Sequence, residues 1–133
     1  MKFVIHTDGG ARGNPGPAAV GVVIKTETGK KIAEFGEKIG ETTNNVAEYT
    51  AVVDALGAIK NMHPTHVDFF LDSLLVAEQL SGRFKVKNDK LRQLLLTVRL
   101  LEQEVGGEIL YHAIPREQNR RADFLVNQAL DNC

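Results

Sequence analysis

One change of hydrophobic period, at Thr42-Thr43-Asn44-Asn45, limits the fold of this chain more than any other feature. Upstream of it, every patterned stretch reads as strand. Phe3-Val4-Ile5-His6-Thr7 runs into Asp8 and a Gly/Pro-rich bend that ends at Pro17. Ala18 to Thr26 is rich in valine, isoleucine and small residues, Glu27-Thr28-Gly29-Lys30 reads as a hairpin loop, and Lys31 to Lys38 alternates apolar and polar. Downstream, Val46, Tyr49, Val53, Leu56 and Ile59 recur at helical spacing behind a Thr/Asn cap region. His63-Pro64 interrupts, and Val67 to Leu71 is a compact strand that ends at Asp72. A short helix runs from Ser73 to about Ser81, and a longer one, capped by Asn88-Asp89, carries the core stripe Leu91, Leu94, Leu95, Val98, Leu101 and Val105. Gly106-Gly107 ends it, Glu108 to Ala113 is the last strand, and Asn119 to Leu130 the last helix. The order β-β-β-α-β-α-α-β-α predicts an α/β fold. Its sheet is mixed and five-stranded, three antiparallel strands and then parallel ones, with helices on the faces because right-handed crossovers put them there.

The 133 residues fit one domain, residues 1–133, whose 43% hydrophobic content suffices for one core. A formal net charge of -1 argues neither for nor against a nucleic-acid partner. The only cysteine, Cys133, excludes an intramolecular disulfide framework and a cysteine-based metal cluster, and fits a reducing compartment. With no apolar run of membrane-spanning length and no signal-peptide pattern, the expectation is a soluble, cytoplasmic monomer with no membrane partner.

Four carboxylates stand out against this pattern. Asp8 and Asp72 each follow an apolar strand, and if the first and fourth strands are parallel neighbours both side chains reach one sheet edge. Two desolvated carboxylates at close range repel, and one takes up a proton unless a divalent cation neutralises them. Glu48 lies in the first turn of the first long helix and Asp123 near the start of the last. Each has an ordinary structural explanation. Asp8-Gly9 is a turn signal, Asn45-x-x-Glu48 a capping box, Asp72 an N-cap, and Asp123 a favourable charge at a helix start. As a set they form hard oxygen ligands that suit Mg²⁺ or Mn²⁺ rather than zinc.

Four stretches give the chain a resemblance to type 1 ribonuclease H over essentially its whole length. They are Thr7 to Pro17 (TDGGARGNPGP), Thr42 to Tyr49 (TTNNVAEY), Leu71 to Val76 with Lys85 to Asn88 (LDSLLV and KVKN), and Ile114 to Asp123 (IPREQNRRAD). The resemblance implies the ribonuclease H-like fold and hydrolysis of the RNA strand of RNA/DNA hybrids by a two-metal mechanism. One ion would activate water and the other stabilise the leaving 3′ oxygen, giving 3′-hydroxyl and 5′-phosphate ends. Asp8, Glu48, Asp72 and Asp123 map onto the family's metal ligands, with Asp8 bridging both ions and Glu48 near a ribose 2′-hydroxyl. Asn14, Asn44 and Asn45 fall where the family reads the minor groove. Gly9, Gly10 and Gly13 would let the backbone approach the ribose, and Thr43 would contact a phosphate of the DNA strand.

Arg83, Lys85 and Lys87, in a connection rather than on a regular helix face, are candidates for backbone phosphates, whereas Lys90 and Arg92 read as solvated surface. The chain departs from the family pattern in three ways. It lacks the basic, tryptophan-bearing protrusion of many members, since Gly82 leads almost directly to the next helix and there is no tryptophan, so weaker hybrid binding is expected. Leu74 replaces a polar minor-groove contact. Residues 114 to 122 contain no histidine, so Arg116 is the candidate to take over the role of the family's loop histidine in product release or proton transfer; His112 reads as structural and His6 as a remote neighbour of the site. Duplex RNA stays open as a second substrate, and the rival readings are a nuclease for DNA junctions and a non-catalytic hybrid-binding module.

Overall fold

Strand β1 (Lys2–Ala11) is paired in opposite senses along its two edges. On one side runs β2 (Gly16–Thr26), antiparallel; on the other β4 (His66–Leu71), parallel. With β3 (Lys31–Thr42) beyond β2 and β5 (Glu108–Ala113) beyond β4, the order is β3-β2-β1-β4-β5. This is the mixed five-stranded sheet expected from the sequence. The computed structural model describes residues 1–132, so Cys133 lies outside the described residues.

Helices α1 (Asn44–Ile59), α2 (Leu74–Leu80), α3 (Asp89–Val105) and α4 (Arg120–Asp131) flank the sheet, and a 3₁₀ turn spans Arg116–Gln118. Alternation sends Phe3, Ile5 and Thr7 to one face of β1 and Val4, His6 and Asp8 to the other. The first face joins Val67 and Phe69 of β4, Tyr49, Val52 and Leu56 of α1 and Val98 of α3 in the main core. Because α1 lies between the sheet and α3, it buries residues nearly all round, including Ala47, Ala51 and Ala55. Helix α3 buries only a stripe of Leu91, Val98 and Val105. The opposite face of β2 and β3 carries α4 on bare backbone: a Cβ on Gly21 would lie 2.2 Å from the Ala122 carbonyl oxygen, and one on Gly36 2.5 Å from that of Leu125.

Element ends differ from expectation in ways that bear on the site. Strand β1 does not stop at Asp8; Gly9, Gly10 and Ala11 stay paired with Val20, Ala19 and Ala18 of β2 after the pairing with β4 has ended. Strand β3 continues past Lys38 to Thr42, opposite Gly16. Helix α1 starts two residues before Val46, capped by Thr43, whose hydroxyl accepts from Val46 N at 3.2 Å. The Asn45–Glu48 capping box therefore does not form. Ser73, not Asp72, caps α2 by accepting from Val76 N at 3.2 Å. Glu48 and Asp72 are both left free of capping.

Candidate active site

Each carboxylate is delivered by a different element. Asp8 sits in β1 just beyond the last pair with β4, His6 opposite Phe70, and Gly9 N donates to its Oδ1 at 3.0 Å. Asp72 follows directly on β4, two residues after Phe70 and so on the same side of the sheet, while Ile114 N donates to Leu71 O at 2.9 Å and fixes that end.

Glu48 arrives because α1 crosses β1 at Gly9. A Cβ there would lie 2.2 Å from Ala47 C and 2.5 Å from Glu48 N, so only glycine admits this approach. Asp123 is held by the start of α4. Asn119, 1% exposed, donates its amide to Thr7 O at 2.9 Å, and Asp123 N donates to Asn119 O at 3.1 Å. One turn on, Asn127 Nδ2 donates to Asp123 O at 3.1 Å and reaches its Oδ2 at 3.4 Å.

Asp8, Glu48 and Asp72 each bring a carboxylate oxygen within 4.8 Å of the others. Burial, then the charges of Asp72 and Asp123, push the Asp8 carboxyl up to about 7. Glu48 is held well above the usual carboxylate range by burial and by Asp8 and Asp72. Burial also raises Asp72, against the guanidinium of Arg116, whose Nε stands 3.7 Å from Asp72 Oδ2. Glu48 Oε2 is buried without a hydrogen-bond partner, and Asp72 Oδ2, buried too, has only the Arg116 guanidinium at ion-pair distance. A divalent cation would supply what these oxygens lack.

The cleft, of about 440 Å³, is lined by all four carboxylates with Gly9, Gly10, Asn44, Asn45 and Arg116 of the residues expected from the sequence, and also by Arg12, Ser73 and Asn127; Gly13, Asn14, Thr43, Lys85 and Lys87 do not line it. Arg12 belongs to the Thr7 to Pro17 stretch, yet its neighbour Asn127 is distant in sequence, so only folding brings the pair together. Asn14 Oδ1 accepts from Asn44 N at 3.0 Å, and Asn44 Oδ1 from Ala11 N at 2.8 Å. Each amide thus uses its oxygen to join the bend to α1 and keeps its NH₂ group as a donor. Gly13, at φ +100°, supplies the bend's left-handed conformation.

Asn14, Asn44 and Asn45 also border a second depression of about 490 Å³, with Thr43, Asn88 and Lys90. Sequence reading assigned Asn88 to capping, which it does by accepting from Leu91 N at 3.1 Å, and Lys90 to solvent. Lys85 and Lys87 are exposed. Arg83 is not at the cleft. It forms a two-point pair with Glu78, at 2.6 and 2.8 Å, and lines a hollow beside Ser81 and Arg99. Leu74 is 62% exposed. His112 binds Asp68 at 2.7 Å, and His6 stacks on Phe70 with centroids 5.3 Å apart. No helix among the described residues is long and apolar enough to cross a membrane.

The family model described as "Reverse transcriptase-like" matches residues 6–129. A protein named Ribonuclease H from Acidovorax sp. is 34% identical over 98% of this chain and 95% of its own length. The crystal structure of RNase H1 from Halobacterium salinarum superposes with a TM-score of 0.94 at 38% identity, covering 100% of both chains. LC11-RNase H1, crystallised in complex with an RNA/DNA hybrid, gives a TM-score of 0.92 at 43% identity over 97% of this chain and 96% of that one. The chain spans 36% of the length of the mycobacterial relatives it matches at 42% identity. Four carboxylates from four elements, a sheet of this order and similarity over nearly every residue lead to one assignment: the chain belongs to the type 1 ribonuclease H family.

Proposed function

We propose that this chain hydrolyses the RNA strand of RNA/DNA hybrids, leaving 3′-hydroxyl and 5′-phosphate ends. The observation that carries the reading is the convergence of Asp8, Glu48, Asp72 and Asp123 on one cleft, with carboxylate oxygens of Glu48 and Asp72 buried without a hydrogen bond. An all-oxygen, acidic donor set fits Mg²⁺ or Mn²⁺, and these four residues would hold two such ions when substrate is bound. When bound, the ions supply Lewis acidity for the attacking water and neutralisation for the leaving oxygen. The remaining work belongs to the protein. NH₂ donors of Asn14, Asn44 and Asn45 read ribose 2′-hydroxyls, the group that separates RNA from DNA. Thr43, with Lys90 in the same depression, seats a phosphate of the DNA strand. Arg116, beside Asp72, holds the cleaved phosphate end as a fixed cation whose guanidinium offers hydrogen-bond donors only. Lys85 and Lys87, with Arg83 through whatever charge Glu78 leaves it, add backbone attraction. Because one chain supplies all four carboxylates, a monomer is the catalytic unit. The complex of LC11-RNase H1 with a hybrid supports this substrate class.

Incubation with end-labelled RNA/DNA hybrid, duplex RNA and duplex DNA in Mg²⁺ or Mn²⁺, beside Asp8→Asn, tests the proposal. The parent cuts the hybrid and the variant does not. Equal cleavage by both would remove the carboxylate site from the mechanism. Hybrid binding with no cleavage would make the chain a binding module, and cleavage of duplex RNA would widen its substrate range.

A further inference from the structure

Arg12 is the only charged side chain of the bend between β1 and β2, and hydrolysis as described gives it no task. Its place is fixed by the backbone. Arg12 N donates to Pro17 O at 2.8 Å, and the returning chain passes so close that a Cβ on Gly16 would lie 2.2 Å from the Arg12 carbonyl oxygen. Arg12 lines the carboxylate cleft. It pairs with Asp131 at 2.7 Å and donates to Asn127 Oδ1 at 3.4 Å, which leaves most of its N–H donors unused. Asn127 in turn donates to Asp123, so Arg12 flanks the Asp123 side of the cleft as Arg116 flanks the Asp72 side.

Resting on the hydrolysis of hybrids, we propose that Arg12 binds a backbone phosphate of the RNA strand next to the one that is cut, and that Asp131 is the counter-ion this phosphate displaces. Three physical arguments lead there. A strand that brings a phosphate up to four carboxylates meets like charge, and a guanidinium at the cleft wall offsets it with a planar fork matched to phosphate. The Arg12–Asp131 pair is 48% and 65% exposed, so exchanging one anion for another costs little. Asp131 is the last residue of α4, where the helix dipole disfavours an anion, so it is a weak competitor.

The test measures affinity for a labelled RNA/DNA hybrid by fluorescence anisotropy in Mg²⁺, in an Asp8→Asn background that prevents cleavage. Arg12→Ala weakens binding and lowers the slope of log K against log salt by about one; Arg12→Lys keeps the slope. Asp131→Asn tightens binding, and does so only while Arg12 is present. If Arg12→Ala and Asp131→Asn lower the unfolding temperature alike and leave affinity at the parental value, the pair is a structural tie and the proposal fails. Tightening by Asp131→Asn that persists in Arg12→Ala means general repulsion and also overturns it. Failure of the parent to bind hybrid would overturn the function and this inference with it.

Discussion

Replacing Gly9 by alanine probes how the cleft is assembled. The new Cβ would lie 2.2 Å from Ala47 C, 2.3 Å from Ala47 O and 2.5 Å from Glu48 N. These are backbone atoms, so relief requires the turn of α1 that holds Ala47 and Glu48 to retreat by roughly 1 Å to reach ordinary contact distance. Overpacking of this kind costs about 1–3 kcal/mol. In a domain of this size about 2 kcal/mol lowers the unfolding temperature by roughly 6–10 °C. The displaced turn carries Glu48, and a misplacement of about 1 Å at a reacting centre costs about a hundredfold, so kcat on the hybrid falls by about that factor while KM changes little. Gly10→Ala is the control: its Cβ would meet nothing closer than Val126 Cγ1 at 3.6 Å, and its stability should stay parental. Thermal unfolding and steady-state cleavage of one hybrid suffice as assays. Parental stability and kcat in Gly9→Ala would refute helix packing as the reason for this glycine. A rise in KM alone would return Gly9 to the role of admitting a ribose.

Further outcomes follow from the electrostatics. Asp8 is raised from 3.8 to about 7, so across that window the folded state keeps a proton that the unfolded state has released; stability of the metal-free protein therefore falls as pH rises through it. Asp8→Asn flattens that fall, and Mg²⁺ at about a hundred times its Kd restores about 2.7 kcal/mol to the parent; an unfolding temperature that rises with pH would contradict the account. Arg116→Ala removes the charge that holds Asp72 down, so the acid limb of the kcat profile moves to higher pH, whereas Arg116→Lys leaves it near the parental position. With Gly82 leading almost directly into α3 and no basic protrusion between them, a salt titration of hybrid affinity should give a shallow slope, and a steep one would mean many more phosphate contacts.

The fold was legible because period and length were unambiguous where they mattered. Val67 to Leu71 is too short for a helix and too apolar for a loop, and the stripe Leu91 to Val105 holds its spacing for more than four turns. The carboxylates were legible for a different reason, since as a set they fall at strand ends and helix starts. Contacts between distant segments were not. Nothing near Gly9 announces that Ala47 lies against it, so ribose access looked a sufficient reason for a bare backbone. Arg83 sits in a basic stretch, but Glu78, five residues earlier, pairs with it. Element ends shifted because pairing with β2 outlasts pairing with β4, which no local pattern in β1 records.

The same distinction explains how a cluster that repels itself stays assembled. Almost none of the placement depends on bonds made by the carboxylates. Asp8 is fixed by its pairing with Gly21, Glu48 by α1 against Gly9, Asp72 by the end of β4, and Asp123 by the Asn119 amide on Thr7 O and by α4 lying on Gly21 and Gly36. Burial and mutual repulsion then act on side chains that cannot move apart, which is why Asp8 and Glu48 hold protons so far above their ordinary range. A substitution that removes a carboxylate relieves strain and destroys function, whereas one that adds a methyl group at Gly9 or Gly21 damages both. Stability and activity are therefore expected to change in opposite directions at the carboxylates and in the same direction at the glycines beneath them.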